Sequence, residues 1–312
     1  MVIQMNKKII FFSMILFFWL ILFMGDGFSK TIIDKAGRHI EVSKPFTKII
    51  SLYGAHTENL FYLGADKQII GISINDKFPP KVNSKKRFSY HDDAEKFIGA
   101  DPDLIIIRPM IDKGYHKLFT SLEKLGITII SLQPSSTEEM FDYWLALGAL
   151  TGKNSQAEKM VKDFKKEVEK LSTLTSNIKK KKKVYFEAIH KRMKTFTRNS
   201  MPGFVLKTAG GINIAIDAQT SRNSNIANYG KEKILSHGAE IDIFLAQKGV
   251  MNNITREIIK NEPGFKSIKA VANGKIYLID EQIISRPVFR LILGIKTIGH
   301  ILYPDIYKNI KF

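Results

Sequence analysis

The sequence predicts an α/β protein of two lobes with mostly parallel central sheets, joined by one long α-helix. Three observations carry this. Apolar runs of strand length alternate with helical segments along almost the whole chain, the pattern of parallel α/β packing. A short pattern occurs twice, far apart: Glu95-Lys96-Phe97-Ile98 leads into Gly99-Ala100-Asp101-Pro102-Asp103 and the apolar run 104–107, and Glu232-Lys233-Ile234-Leu235 leads into Gly238-Ala239-Glu240-Ile241-Asp242 and the run 243–246. Each copy reads as a short helix opened by a glutamate, a tight turn and a buried strand, so two similar lobes each present one glutamate at a corresponding place. Between the copies, Ala157, Met160, Val161, Phe164, Val168 and Leu171 recur at helical spacing on one face of the stretch 154–174. At 1.5 Å per residue this helix is about 30 Å long, the width of a small domain.

The elements follow in order. The 312 residues are enough for two domains with substantial cores. Residues 1–29 read as a secretory signal peptide: Lys7 and Lys8 precede an apolar stretch over 9–24 broken only by Ser13, and small residues at Gly25, Gly27 and Ser29 place cleavage near 27–29. The stretch is short for an anchor, which needs about 20 apolar residues. Residues 30–152 form the first lobe. It opens with a hairpin over 31–42 that turns at Lys35-Ala36-Gly37. A strand over 48–52, a helix over 57–63 closed by Gly64, and a strand over 69–72 follow. A strand over 104–107, a helix through Leu125 closed by Gly126, a strand over 128–132 and a helix over 137–150 complete it. Residues 153–182 hold the long helix, capped by Asn154 or Ser155, and a lysine-rich linker at 179–182 that runs into Lys183. Residues 183–312 form the second lobe, with strands over 184–187, 241–246 and 275–279 and helices over 204–209, 255–260 and 287–302.

Composition removes several function classes. The chain has no cysteine, which excludes disulfides, thiolate metal sites, a cysteine nucleophile and an N-terminal lipid on cysteine. An exported chain without that anchor is expected free in the periplasm. The formal charge of +18 attracts anions. An exported protein rarely meets nucleic acid, so the expected partner is an anionic small ligand or, less favourably, an anionic lipid or polyanion surface. Gly210-Gly211 lacks the lysine and the preceding strand of a phosphate loop. The seven histidines, at 39, 56, 91, 116, 190, 237 and 300, show no close-spaced ligand motif. No acid and base are paired for catalysis, and no enzyme activity is expected. Trp144, at helical spacing with Phe141 and Leu145, is a core residue.

The order and spacing of several pieces resemble the substrate-binding proteins of ABC importers that take cobalamin, haem and ferric siderophores. These are the opening hairpin, Ile49-Ile50-Ser51-Leu52 followed by Thr57-Glu58, Leu63-Gly64, Ile70-Gly71-Ile72-Ser73, Ala100-Asp101-Pro102-Asp103-Leu104-Ile105, Leu125-Gly126-Ile127 and Ala209-Gly210-Gly211-Ile212-Asn213. The resemblance covers nearly all of the chain after residue 30. It implies two Rossmann-like lobes whose motion the long helix limits to a small clamp, with the ligand in the cleft between them. It also implies that one surface glutamate per lobe docks on arginines of the membrane permease, and those positions fall on Glu95 and Glu232. Two charge pairs at a fixed separation supply register and orientation.

Ligands of open α/β sheets bind outside the carboxyl ends of the strands. That rule selects Tyr53, His56, Asn75, Arg108, His190, Lys191 and Arg192, then Arg286 and Arg290 one short loop beyond the last strand, with Tyr90 ahead of the Glu95 helix. The set is strongly cationic, and arginine forks suit carboxylate or catecholate oxygens. The expected function is therefore capture of an iron complex, an anionic ferric siderophore first, by a monomer that delivers it to a permease dimer and its ATPase. No cofactor is expected besides that ligand. Haem and cobalamin are the alternatives: Tyr53 and His190 are candidate iron ligands, whereas Asn75 and Arg108 stand where related cobalamin binders carry aromatic residues.

Overall fold

A computed structural model describes residues 30–220 and 225–311; the expected signal segment lies outside them. The apolar run at Leu104–Ile107 is buried on both faces, as the strands of a parallel sheet covered by helices must be. It is β6 of a five-stranded, wholly parallel sheet in the order β5-β4-β3-β6-β7, with β3 at Ile49–Ser51, β4 at Ile69–Ser73, β5 at Lys86–Phe88 and β7 at Thr128–Ser131. The opening hairpin, β1 (Lys30–Ile33) and β2 (His39–Val42), pairs antiparallel beside it. Helices α1 (Gly54–Tyr62), α2 (Ala94–Ile98), α3 (Pro109–Gly114), α4 (His116–Lys124) and α5 (Thr137–Thr151) connect and cover this sheet. The single helix expected after β6 is two, broken at Tyr115 by a non-helical backbone.

Gly152 ends α5 at φ +68 and turns the chain into α6, Asn154–Leu174. A β-carbon there would lie 2.6 Å from Pro45, so both the left-handed backbone and the close approach call for glycine. The cap position of α6 is Lys153, and Asn154 is already helical. Ala157, Met160, Phe164 and Leu171 are its buried face.

The second sheet runs β11-β9-β8-β12-β13, with β10 beside β8. Its strands are β8 (Lys183–Ile189), β9 (Lys194–Phe196), β10 (Ile212–Asn213), β11 (Ile226–Asn228), β12 (Ile243–Lys248) and β13 (Ile276–Asp280). It is mixed: β9 runs antiparallel to both β8 and β11. The parallel pairing of the first lobe expected from the sequence therefore holds for β8, β10, β12 and β13 but not for β9. Helices α7 (Met201–Thr208), α8 (Lys231–Ser236), α9 (Arg256–Asn261), α10 (Lys269–Ala272), α11 (Leu291–Leu302) and α12 (Pro304–Tyr307) complete the lobe. The last long helix starts at Leu291 rather than 287, because residues 281–290 form a loop that reaches the first lobe.

The duplicated pattern is a strand-entry clamp. Asp103 accepts from the backbone N–H of Lys48 at 2.9 Å just before β3, and Asp242 accepts from that of Lys183 at 3.0 Å at the start of β8. The Lys48 ammonium pairs with Asp101, and that of Lys183 with Glu240. The same three positions therefore tie adjacent parallel strands in each lobe. One apolar cluster runs through both lobes: Ile49, Leu60, Trp144 and Phe164 share it with Phe186, Leu245 and Ile295. Among the described residues no helix is long and apolar enough to cross a membrane.

Candidate ligand cleft

In the first sheet the chain runs outward in both directions from the neighbours β3 and β6, the switch point where open α/β sheets bind ligands. Every strand end of this sheet contributes to one cleft of about 660 Å³: Tyr53 after β3, Asn75 and Asp76 after β4, Tyr90 after β5, Arg108 after β6 and Gln133 after β7. The second lobe closes the cleft with Gln247 near the end of β12, with Val250 and Met251 after it, and with Glu281, Ser285 and Arg286 after β13. Its volume is that of a site for a compact organic ligand.

Five residues selected from the sequence thus meet in the cleft: Tyr53, Asn75, Tyr90, Arg108 and Arg286. The Arg108 guanidinium lies 4.9 Å over the Tyr53 ring and places one nitrogen 3.8 Å from the sulfur of Met110. Its Nε is buried with no hydrogen-bond partner. Arg286 makes no ion pair among the described residues. Burial raises the pKa of the Tyr53 hydroxyl, and the charges of Arg108 and Arg286 offset part of that. Asp76 is buried, and burial pushes its carboxyl up to about 6 against the Thr57 hydrogen bond and the charges of Arg286 and Arg87.

The other five selected residues lie outside the cleft. His56 is fully buried in α1: Nε2 donates to the Ile107 carbonyl at 3.1 Å, and Nδ1 accepts from the Tyr143 hydroxyl at 2.7 Å. Burial pushes its pKa down to about 3, so it stays neutral. His190 lies 2.8 Å from Glu187 and 3.4 Å from Glu262 and does not line the cleft, so it is not brought opposite Tyr53 as a second iron ligand. Lys191 and Arg192 are exposed and point elsewhere. The reason is the mixed sheet: the segment after β8 is a tight 3-10 turn that reverses at Met193, φ +46, into antiparallel β9. The cleft position is filled instead by the segment after β12. Arg290 closes a two-pronged ion pair with Glu58, both contacts at 2.6 Å, and its guanidinium lies 3.7 Å over the Phe78 ring. Among the described residues there is no cluster of three or more histidine or acidic side chains arranged to hold a metal.

Asp76, Gln133 and Glu281 escaped the sequence reading although they follow strands and fall under the strand-end rule, whereas Gln247 lies within the last residues of β12, where no sequence signal marks it. The two glutamates of the repeat are exposed in the first turns of α2 and α8. Each of those helices follows an edge strand, β5 or β11, by a tyrosine-bearing turn, Tyr90 or Tyr229. Both glutamates therefore lie on the carboxyl-end side of their sheets, the side on which the cleft opens.

A family model described as "Periplasmic binding protein" matches residues 49–283. The chain belongs to that family and is a solute-binding component of an ABC transporter. It is 22% identical over 289 residues to the uncharacterized ABC transporter substrate-binding lipoprotein YvrC of Bacillus subtilis, covering 91% of this chain and 88% of that one. It is 23% identical to the vitamin B12-binding protein of Vibrio cholerae, covering 82% of this chain and 90% of that protein. The crystal structure of a possible iron-binding (periplasmic solute-binding) protein of Staphylococcus epidermidis superimposes with a TM-score of 0.73 at 28% identity, over 83% of this chain and all of that one.

Proposed function

We propose that this protein is an exported carrier that captures an iron chelate bearing anionic oxygens and hands it to a membrane permease through Glu95 and Glu232. The observation that carries the ligand class is the pair Arg108 and Arg286. They enter one cleft from opposite lobes, neither makes an ion pair among the described residues, and Arg108 keeps a buried donor unused there. A buried unpaired donor is unfavourable, and an incoming acceptor relieves it. The iron-binding name of the Staphylococcus structure supports the same class. The cleft is less cationic than ten sequence candidates implied, since Asp76 and Glu281 also line it.

A corrinoid is the second reading. It is favoured by the vitamin B12-binding relative and by the neutral amides Asn75, Gln133, Asn225 and Gln247, which suit a ligand edged with carboxamides. Titration of intrinsic fluorescence with ferric citrate, a ferric catecholate, a ferric hydroxamate, haem and cyanocobalamin separates the readings. The anionic ferric chelates are expected to bind, and Arg108→Ala is expected to weaken them by about tenfold to a hundredfold, the loss of one charge-assisted hydrogen bond. Tight cobalamin binding that ignores Arg108→Ala would overturn the iron-chelate reading in favour of the corrinoid.

A further inference from the structure

Asp76 sits at the floor of the cleft, three residues beyond β4, with its backbone carbonyl held by Arg87 at 2.6 Å. One carboxylate oxygen accepts from the Thr57 hydroxyl at 2.5 Å; because that proton goes to Asp76, the Ser51 hydroxyl 2.8 Å from Thr57 donates to it. The other oxygen turns towards the cleft. There it and Arg286 of the opposite lobe flank Gly54, the first residue of α1. A β-carbon on Gly54 would lie 2.5 Å from the Arg286 Nη1 and 3.0 Å from the Asp76 Oδ1. Carboxylate and guanidinium therefore converge on one methyl-sized space that only glycine leaves open. They make no ion pair there. Glu58 with Arg290, by contrast, is an inter-lobe ion pair closed by two hydrogen bonds.

We propose that Asp76 is a built-in counter-charge for Arg286, a positioning residue that attracts the opposite lobe's arginine across the Gly54 space without closing an ion pair, and so leaves it for an anionic ligand to take. Asp76 then sets charge selectivity by competing with the ligand: only a ligand whose acceptor outbids a fixed carboxylate takes Arg286. This rests on the proposed anionic ligand, but the attraction between the two charges across Gly54 is a property of the empty protein. The charged groups that act on the carboxylate are Arg286 after β13 and Arg87 on β5; the carboxylate in turn acts on Tyr53, which also feels Arg108 and Glu281. Burial is the main reason its proton is held up to about 6, with Arg286 pulling the other way.

The test has two arms. In the ligand-free protein, the Asp76 carboxyl is titrated by carbon NMR. Its midpoint is expected near 6 and is expected to rise in Arg286→Gln, which removes the opposing cation. A midpoint unmoved or lowered by Arg286→Gln overturns the proposal. In the second arm, Asp76→Asn, whose amide oxygen still accepts from Thr57, is titrated with ferric citrate at neutral pH. Binding is expected to tighten by about tenfold as the competing charge is lost. Weaker binding would mean that Asp76 touches the ligand itself, and would overturn the proposal. Failure of the wild type to bind any ferric chelate would count against the iron-chelate reading alone, and the NMR arm then decides the attraction between Asp76 and Arg286.

Discussion

Arg108 and Arg290 each come soon after a strand, yet they do different work. Arg108 faces an open cleft with a donor to spare, whereas Arg290 is consumed by Glu58. His190 shows the same dependence on neighbours. Burial alone would lower its pKa, but the hydrogen bond and charge of Glu187, joined by Glu262, outweigh that and raise it above the ordinary value. A histidine whose folded pKa is raised adds stability below its unfolded pKa, and loses that contribution as pH rises through the folded one. His190→Gln is therefore expected to destabilise more at pH 6 than at pH 9 in urea unfolding. An equal loss at both values would mean that the ring acts only by packing. Tyr53, Asn75, Tyr90, Arg108 and Arg286 were legible from the sequence because each follows a strand or its loop directly. His190, Lys191 and Arg192 were misplaced by the same rule, because a left-handed Met193 folds that turn back into an antiparallel strand.

At the scale of elements, α1 and the loop ahead of α11 form the strap between the lobes. Asn59 on α1 and Trp144 on α5 both donate to the Pro287 carbonyl, at 2.9 and 3.0 Å, and Glu58 holds Arg290. Glu58 is nearly buried, so removing its partner leaves a desolvated carboxylate. Arg290→Met is expected to cost about 3 kcal/mol of unfolding free energy, the lower part of the range for a broken buried pair, measured by urea denaturation. A loss below about 1 kcal/mol, typical of an exposed ion pair, would mean that the strap is solvated. The strand-entry clamps at Asp103 and Asp242 explain why the repeat was visible in sequence: the same hydrogen bonds need the same residues in both lobes. The absence of β9 and β11 from the sequence reading has an equally local cause. Three-residue strands carry too few alternations to register as a period.

Across the whole molecule, the two exposed glutamates stand on the cleft side of their edge strands, one per lobe. Reversing both to lysine is expected to abolish cellular uptake of the chelate while leaving its affinity for the purified protein unchanged. A collapse of affinity in the double variant would place these residues in the site or the fold instead of at the permease. The helix α6 spans the chain between the two sheets over 21 residues and buries its apolar face in the core shared by the lobes. That arrangement suits small clamping motions about a stiff connector.

By itself the sequence determined the α/β class, the duplicated helix-turn-strand unit, the long helix over 154–174 and the family resemblance, because periodicity, glycine turns and strand order are local along the chain. It also determined that five strand-end residues meet, because parallel strands bring their carboxyl ends to one side. Only the tertiary structure decided which charges remain available to a ligand. Arg290 is silenced by Glu58, 232 residues away, and Asp76 enters the cleft opposite an arginine of the other lobe. Pairing of charges depends on distances between segments remote in sequence, and a residue's own neighbours in the chain carry no record of them.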